Sequence, residues 1–187
     1  MQPVLVIING LPATGKTTIG KALAEKFNIP FLTKDKVKEF LFDNLGIGDR
    51  EWSRKLGAIS SVFLYNVADQ LLSSGKSLIV ESDFHKDLAE PEWKKVIEKH
   101  HPGVLEIYCF TEKEIRRARF EERNKSGNRH KGHVDTVNYL SESDSEPLDT
   151  YAPLMVGDFY QVDTTNANEQ TTKDVVEEVK RRLSLRK

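Results

Sequence analysis

Gly10-Leu11-Pro12-Ala13-Thr14-Gly15-Lys16-Thr17 sets two glycines either side of four residues and follows them at once with a lysine and a hydroxyl. Those residue types at that spacing suit the cradling of a polyphosphate. Gly10 and Gly15 let the backbone curl so that successive N–H groups face inward, and a helix beginning at the same point adds the positive end of its dipole. Lys16 then reaches the β- and γ-phosphates, and the Thr17 hydroxyl joins a Mg²⁺ shell. The flanks are the ones such a loop requires. Val4-Leu5-Val6-Ile7-Ile8-Asn9 reads as a strand, and the run from Thr17 to Lys26 reads as a helix. The nucleotide contacts expected here are Gly10, Ala13, Thr14, Gly15, Lys16, Thr17 and Thr18.

The elements that must position this loop follow from hydrophobic periodicity. Val4 to Asn9 is apolar nearly throughout, as a central strand covered on both faces should be. The first helix stops at Asn28-Ile29-Pro30. A short strand Phe31-Leu32-Thr33 leads into a helix carrying Val37, Phe40 and Leu41, so Asp35 falls at a strand-to-helix junction. After the loop Gly46 to Arg50, a long helix ending at Gly75 is expected to present Leu56, Ile59, Phe63, Val67 and Leu71 on one face. Ser77 to Glu81 is the third strand, with Ser82-Asp83-Phe84-His85 beyond its end. A helix then carries Pro91 near its start and Trp93, Val96 and Ile97 inward. Val104 to Phe110 is the fourth strand. Thr111, with Glu114 three residues on, predicts a capping box for an arginine-bearing helix to about Asn124. Little periodicity follows from Ser126 to Leu154, which predicts a loop or lid. A last strand, Asp158 to Asp163, precedes a terminal helix with Val175, Val176, Val179 and Leu183 inward. Strands alternating with helices predict an α/β fold with a parallel sheet.

In open α/β sheets ligands lie beyond the carboxyl ends of the strands, where Asp35, Glu81, Asp83 and Asp163 fall. The chain here resembles the small P-loop kinases, a group that includes polynucleotide 5′-kinases, chloramphenicol phosphotransferase, zeta-toxin-like enzymes and gluconate and shikimate kinases. The resemblance spans nearly the whole chain. It rests on the phosphate loop, on Thr33-Lys34-Asp35, on Leu78-Ile79-Val80-Glu81-Ser82-Asp83-Phe84, and on Arg119-x-x-x-Arg123 running into Arg129-His130.

The resemblance implies a P-loop NTPase fold of three α/β/α layers, nucleoside-monophosphate-kinase-like. It carries a five-stranded parallel sheet in a single domain 1–187, with a helical or loop lid at about 112–150. It implies an ATP- and Mg²⁺-dependent transfer of phosphate to a hydroxyl. Asp35 is then the acceptor-activating base, consistent with a carboxylate that orients the hydroxyl and takes its proton. Its other reading is a helix N-cap. Glu81 and Asp83 are alternatives for holding the metal through water or for touching the acceptor, the strand-end position favouring Glu81. Charge spread over the transferred phosphoryl group calls for guanidinium donors. Arg119 or Arg123 from the helix, with Arg129 from the loop, is expected over the phosphates. Arg123 and Arg129 join Asp35 and Lys16 as the catalytic set. Arg116 and Arg117 read as a solvated basic face. Thr164 takes its place beside the adenine by position in the fold. Trp52 and Trp93 read as helix packing, with stacking at Trp52 the alternative.

Composition narrows the classes. The 187 residues suffice for a core that buries roughly 70% of the unfolded surface. One cysteine, Cys109, excludes an internal disulfide and a cysteine-based zinc site, and its apolar run makes it a core residue. No apolar run approaches the ~20 residues of a membrane span, and the amino-terminal run lacks a leader's pattern. The expected location is cytoplasmic, with no membrane partner. Net charge is −1, so the molecule as a whole is no polyanion binder. A basic segment from Lys113 to His133 is followed by an acidic one, Asp135, Glu142, Asp144, Glu146 and Asp149. Three functions stay open. The leading one is a kinase for a small-molecule or nucleoside-like hydroxyl acceptor. The second is a polynucleotide 5′-hydroxyl kinase, with nucleic acid as a partner not favoured because a strand needs sustained positive surface. The third is an ATP-reading regulator without transfer. Acceptor identity and oligomeric state, monomer or dimer, are not readable from these residues.

Overall fold

The computed structural model describes residues 2–127, 129–133 and 150–184. β1 (Val4–Asn9), β2 (Phe31–Thr33), β3 (Leu78–Glu81), β4 (Gly103–Phe110) and β5 (Asp158–Asp163) form one parallel sheet in the order β2-β3-β1-β4-β5. The five-stranded parallel α/β architecture expected from the alternation is therefore present. β1 lies at the centre, its Leu5 and Ile8 in register with Leu78 and Glu81 of β3 and with Val104 and Ile107 of β4. Both faces of β1 are covered, which is why it carries no alternation of polar and apolar residues.

The helices are α1 (Lys16–Phe27), α2 (Lys34–Leu45), α3 (Arg50–Ser73), α4 (Lys86–His100), α5 (Lys113–Lys125) and α6 (Glu169–Ser184). Leu5, Ile7, Leu78 and Val80 point to one side, against Leu64, Ala68 and Leu72 of α3 and Ala89, Trp93 and Val96 of α4. Val6, Ile8 and Ile79 point to the other, against Ile19 and Leu23 of α1 and Val175 and Val179 of α6. Trp93 is fully buried, with Tyr65 and Phe84 meeting its ring edge-on at 4.8 and 5.7 Å. Cys109 is a buried core residue whose thiol burial pushes up to about 12. Among the described residues no helix is long and apolar enough to cross a membrane.

Four local expectations are corrected. The inward face of α3 is Leu56, Ser60, Leu64, Ala68 and Leu72, while Ile59 and Phe63 are about half exposed. Ser60 can sit inside because its hydroxyl donates to the Leu56 carbonyl at 2.7 Å. Thr111 does not cap α5, because Glu112 occupies the N-cap position and the Thr111 hydroxyl lies 3.5 Å from that of Thr165. Arg116 is buried rather than solvated, on the inner side of α5 with Phe120. Pro91 lies inside α4, past its first turn. The acidic residues Asp135 to Asp149 and most of the expected lid beyond α5 lie outside the described residues.

Candidate functional site

The phosphate loop joins β1 to α1, and its backbone explains its residue types. Gly10 has φ 139°, and a Cβ there would stand 2.1 Å from the Cys109 carbonyl oxygen, so only glycine fits. Ala13 and Gly15 also have positive φ, 65° and 78°, which turns consecutive N–H groups toward one side. The Gly15 carbonyl then accepts from Thr18 and Ile19 N–H and starts α1. Asn9 braces the loop from below. Its Oδ1 accepts from Gly10 N–H at 2.7 Å and from Phe84 N–H at 3.1 Å, tying the end of β1 to the turn after β3.

At the mouth of the cradle the Thr17 hydroxyl donates to Glu81 Oε2 at 3.0 Å. Lys16 is buried, its Nζ donating to the Leu11 carbonyl at 2.7 Å and lying 3.9 Å from Glu81 Oε1. Burial raises the Glu81 pKa, partly offset by Lys16. Asp83 is engaged differently. Lys34 Nζ donates to its Oδ1 at 3.1 Å, and although burial acts upward, Lys34 and Lys16 hold its carboxyl below the usual range. A hydroxyl and a carboxylate facing one another, Thr17 and Glu81, are hard oxygen donors suited to Mg²⁺. Asp83, held by Lys34, is the poorer candidate.

Asp35 stands in the first turn of α2, but the cap is Thr33, whose hydroxyl accepts from Lys36 N–H at 3.1 Å. The Asp35 side chain is thereby left for other work. Arg129 Nη1 donates to its Oδ2 at 2.7 Å. Desolvation acts to raise its pKa, yet Arg129, His133 and Lys34 outweigh it and hold the carboxyl well below the ordinary range. Residues 129–133 lie along α2 in a ladder. Arg129 meets Asp35, His133 Nε2 is 3.3 Å from Glu39, and His130 Nε2 is 3.1 Å from Asp43. The His130 ring stacks on Phe42 at 5.5 Å.

The remaining expected residues sit on α5 and after β5. Arg119 Nη2 donates to the carbonyls of Thr164 and Thr165 at 2.8 and 3.1 Å, so it fastens α5 to the loop leading into α6. Arg123 carries its guanidinium 5.0 Å above the Phe120 ring. The Thr164 hydroxyl donates to the Thr14 and Phe110 carbonyls at 3.0 and 2.9 Å, locking the end of β5 to the phosphate loop.

All of the expected site residues except Gly10 line one cavity of about 1320 Å³. One arm runs from the loop along Arg119, Arg123 and Thr164 to the start of α6. The other runs from Asp35 between α2, α3 and α4, past Lys38, Arg54, Val62, His85 and Leu88. Trp52 is outside the lining and donates from Nε1 to the Gly46 carbonyl at 2.9 Å, bracing the α2–α3 turn. Among the described residues no cluster of three or more histidines, cysteines or carboxylates is placed to bind a metal by side chains alone.

Sequence reasoning missed Asn9 and Glu106. Glu106 is fully buried in β4, where the N–H groups of Leu154 and Met155 each donate to its carboxylate at 2.7 Å. Burial raises its pKa against those bonds. The available signal was a polar residue closing, or interrupting, an otherwise apolar strand, since a buried polar group must find partners.

A family model described as AAA domain matches residues 5–142. A crystal structure of a candidate kinase from Chloroflexus aurantiacus J-10-fl is 36% identical, covers 97% of this chain and 99% of its own, and superposes with a TM-score of 0.89. A sugar kinase from Janibacter sp. HTCC2649 is 18% identical over 98% of this chain and 95% of its own, TM-score 0.62. Chaetomium thermophilum Kti12 in complex with ADP-AlF3 is 14% identical over 94% and 96%, TM-score 0.68. The last two speak to the fold alone. No curated protein sequence matches the chain significantly.

Proposed function

This chain belongs to the AAA domain family, as a kinase-like P-loop domain, and on that premise we propose that it is an ATP-dependent phosphotransferase acting on a hydroxyl of a small acceptor. The observation that carries the reading is the meeting of Lys16, Thr17, Glu81, Asp35 and Arg129 in one cavity. A nucleotide binder without transfer needs neither a carboxylate beside the phosphate loop nor an arginine set on it. Kinases among the structural neighbours, and one neighbour holding ADP-AlF3, support the same reading. The narrower likeness to polynucleotide kinases and chloramphenicol phosphotransferase rests on the Thr33-Lys34-Asp35 junction and belongs to this proposal too.

ATP enters with its phosphates on the loop N–H groups and its base toward Thr164 and α6. Lys16 exchanges the Leu11 carbonyl and Glu81 for the β- and γ-phosphates. Thr17 and Glu81 would hold Mg²⁺, which supplies charge neutralisation on those phosphates. Arg123 flanks them from α5, and Arg119 keeps the adenine-side loop in place. Arg129 exchanges Asp35 for oxygens of the transferring group, where a guanidinium can bind two at once. Asp35, ionised at neutral pH, then accepts a hydrogen bond from the acceptor hydroxyl. As the acceptor oxygen bonds to the γ-phosphorus, the bond from that phosphorus to the β–γ bridging oxygen breaks. The hydroxyl proton passes to Asp35 and ADP leaves.

The test is an ATP-consumption screen over sugars, hydroxy acids, antibiotics, nucleosides and 5′-hydroxyl oligonucleotides, with Lys16→Ala as the blank. At least one acceptor should raise turnover above that blank by a hundredfold or more on the order expected for lost phosphate electrostatics. If none does while ATP still binds, the reading is wrong and a nucleotide-reading role replaces it.

A further inference from the structure

We infer that Glu106 is a positioning residue for phosphotransfer: its buried carboxylate clamps the segment 150–156, and so holds the cavity wall made by Tyr151 and His85 in fixed relation to the phosphate loop. The inference rests on the phosphotransfer reading for the step that needs this alignment. The clamp itself is read from the geometry beneath the cavity.

Glu106 stands in β4 between Ile7 of β1 and Phe159 of β5, and it is fully buried. Its neighbours Val104, Leu105 and Ile107 are apolar, so the sheet alone would be served by another aliphatic residue. A carboxylate in such a place is costly unless hydrogen bonds satisfy it. Among the described residues no cation pairs with it. Its partners are backbone groups, the N–H of Leu154 on one oxygen and that of Met155 on the other, both at 2.7 Å. Met155 has φ 58°, a conformation that residues with a Cβ seldom adopt, and the bend brings Val156 N–H to the carboxylate as well. The Met155 side chain is exposed, so its own packing does not account for the strained turn. The buried charge does, because it fixes the N–H groups around one point.

The clamped segment is fastened at two further points. The Thr150 carbonyl accepts from Lys86 N–H at 2.8 Å, and the Ala152 carbonyl accepts from Asn9 Nδ2 at 3.4 Å. Tyr151 lies between these points and lines the cavity, its ring 6.0 Å from that of His85 and edge-on to it. Asn9 Oδ1 meanwhile takes the N–H groups of Gly10 and Phe84. Two buried side chains on adjacent strands, Asn9 of β1 and Glu106 of β4, thus join three walls of one cavity: the phosphate loop, the turn after β3, and the segment bearing Tyr151. Transfer requires the acceptor oxygen to be held against the γ-phosphorus, and a misplacement of about 1 Å costs on the order of a hundredfold in rate. Glu106 touches neither reactant, so it acts through Tyr151 and His85.

The test uses the full chain and the acceptor found by the ATP-consumption screen. Glu106→Gln keeps the volume but turns an amide N–H toward a backbone N–H. It should lower kcat/KM for the acceptor about 10- to 100-fold, with ATP affinity within about threefold of the parent. Ile107→Ala, a cavity-forming change one residue on, should lower the melting temperature at least as far and leave acceptor kinetics within about twofold well below that temperature. Tyr151→Ala should match the kinetic loss of Glu106→Gln, and the double variant should lose no more than either alone. Parental acceptor kinetics in Glu106→Gln or Tyr151→Ala, fully additive losses, or an equal kinetic loss in Ile107→Ala overturns the inference. If Glu106→Gln fails to fold, hydrogen exchange on the parent decides. The Leu154 and Met155 amides should exchange at least about a hundredfold more slowly than in an unstructured peptide, and unprotected amides refute the clamp. A crystal structure of Glu106→Gln separates this inference from the phosphotransfer reading. Tyr151 displaced from His85, with no acceptor turned over by the parent, keeps the clamp and removes phosphotransfer. An unmoved Tyr151 in the variant of an active kinase does the reverse.

Discussion

Replacing Asp35 by asparagine separates chemistry from binding at this site. The substitution keeps the side chain's size and one oxygen but removes the charge that Arg129 approaches at 2.7 Å. A general base of this kind contributes about 10²–10⁴ in rate, which at about 1.36 kcal/mol per decade is ~2.7–5.4 kcal/mol of barrier. The structural cost is far smaller. The Asp35 side chain is 46% exposed, so the ion pair is worth at most about 1 kcal/mol, or roughly 2–4 °C in melting temperature for a chain of this size. ATP affinity should stay within about threefold, because the carboxylate stands beyond the phosphates and its loss releases Arg129 toward them. The pH behaviour carries a sign. Desolvation opposes the charge on Asp35, but Arg129, His133 and Lys34 prevail and lower its folded pKa below the ordinary value of 3.8. The stabilisation is therefore present above that value and is lost only as pH falls through the lower folded one. Between pH 5 and 8 the parent should show no titration of this group in kcat. Steady-state ADP release and nucleotide titration on parent and variant decide the matter. A variant within about fivefold of the parental kcat would refute the assignment of Asp35 as base.

Other substitutions read out the scaffold. Gly10→Ala drives a Cβ to 2.1 Å from the Cys109 carbonyl at a φ of 139°, so a loss above about 3 kcal/mol and a melting temperature lower by about 6–12 °C are expected. A variant as stable as the parent would show that the loop relaxes freely. Arg119→Ala removes the donor to the Thr164 and Thr165 carbonyls and should cost about 1.5–3 kcal/mol in denaturant titration while raising the KM for ATP and sparing that for the acceptor. Asn9→Ala leaves the Gly10 and Phe84 N–H groups buried without their acceptor, about 1–3 kcal/mol each. Urea unfolding should show that loss together with weaker binding of nucleotide.

Much of this arrangement could be read from one chain because two strong local signals coincide. β1 is an apolar run that only a two-sided sheet can bury, and the glycine spacing after it places a phosphate loop where such sheets bind ligands. Asp35, Glu81 and Asp83 follow from that frame, since each ends a strand or begins the next turn. α3 misled for a physical reason. Ile59 and Phe63 carry the hydrophobicity that a periodicity reading follows, while the true inner face includes Ser60 and Ala68, chosen by close approach to α4 and the sheet. Asn9 and Glu106 escaped notice because their partners arrive from residues 84 and 152–156, distant in sequence. Thr111 misled because a capping pattern is local, whereas the Thr165 hydroxyl that accepts Glu112 N–H comes from across β5.

α3 keeps its two duties largely on separate residues. Leu56, Ser60, Leu64, Ala68 and Leu72 are buried in the packing of the helix, whereas Arg50, Arg54, Ala58 and Val62 border the cavity and are exposed, with the buried Ser53 and Gly57 and the half-buried Tyr65 serving both. Substitutions at the four exposed positions can therefore reshape what the cavity accepts without drawing on the stability of the fold. A helix divided in this way is a place where descendants of one ancestor can diverge in substrate while conserving architecture, and where a library of acceptor variants would lose the fewest members to misfolding.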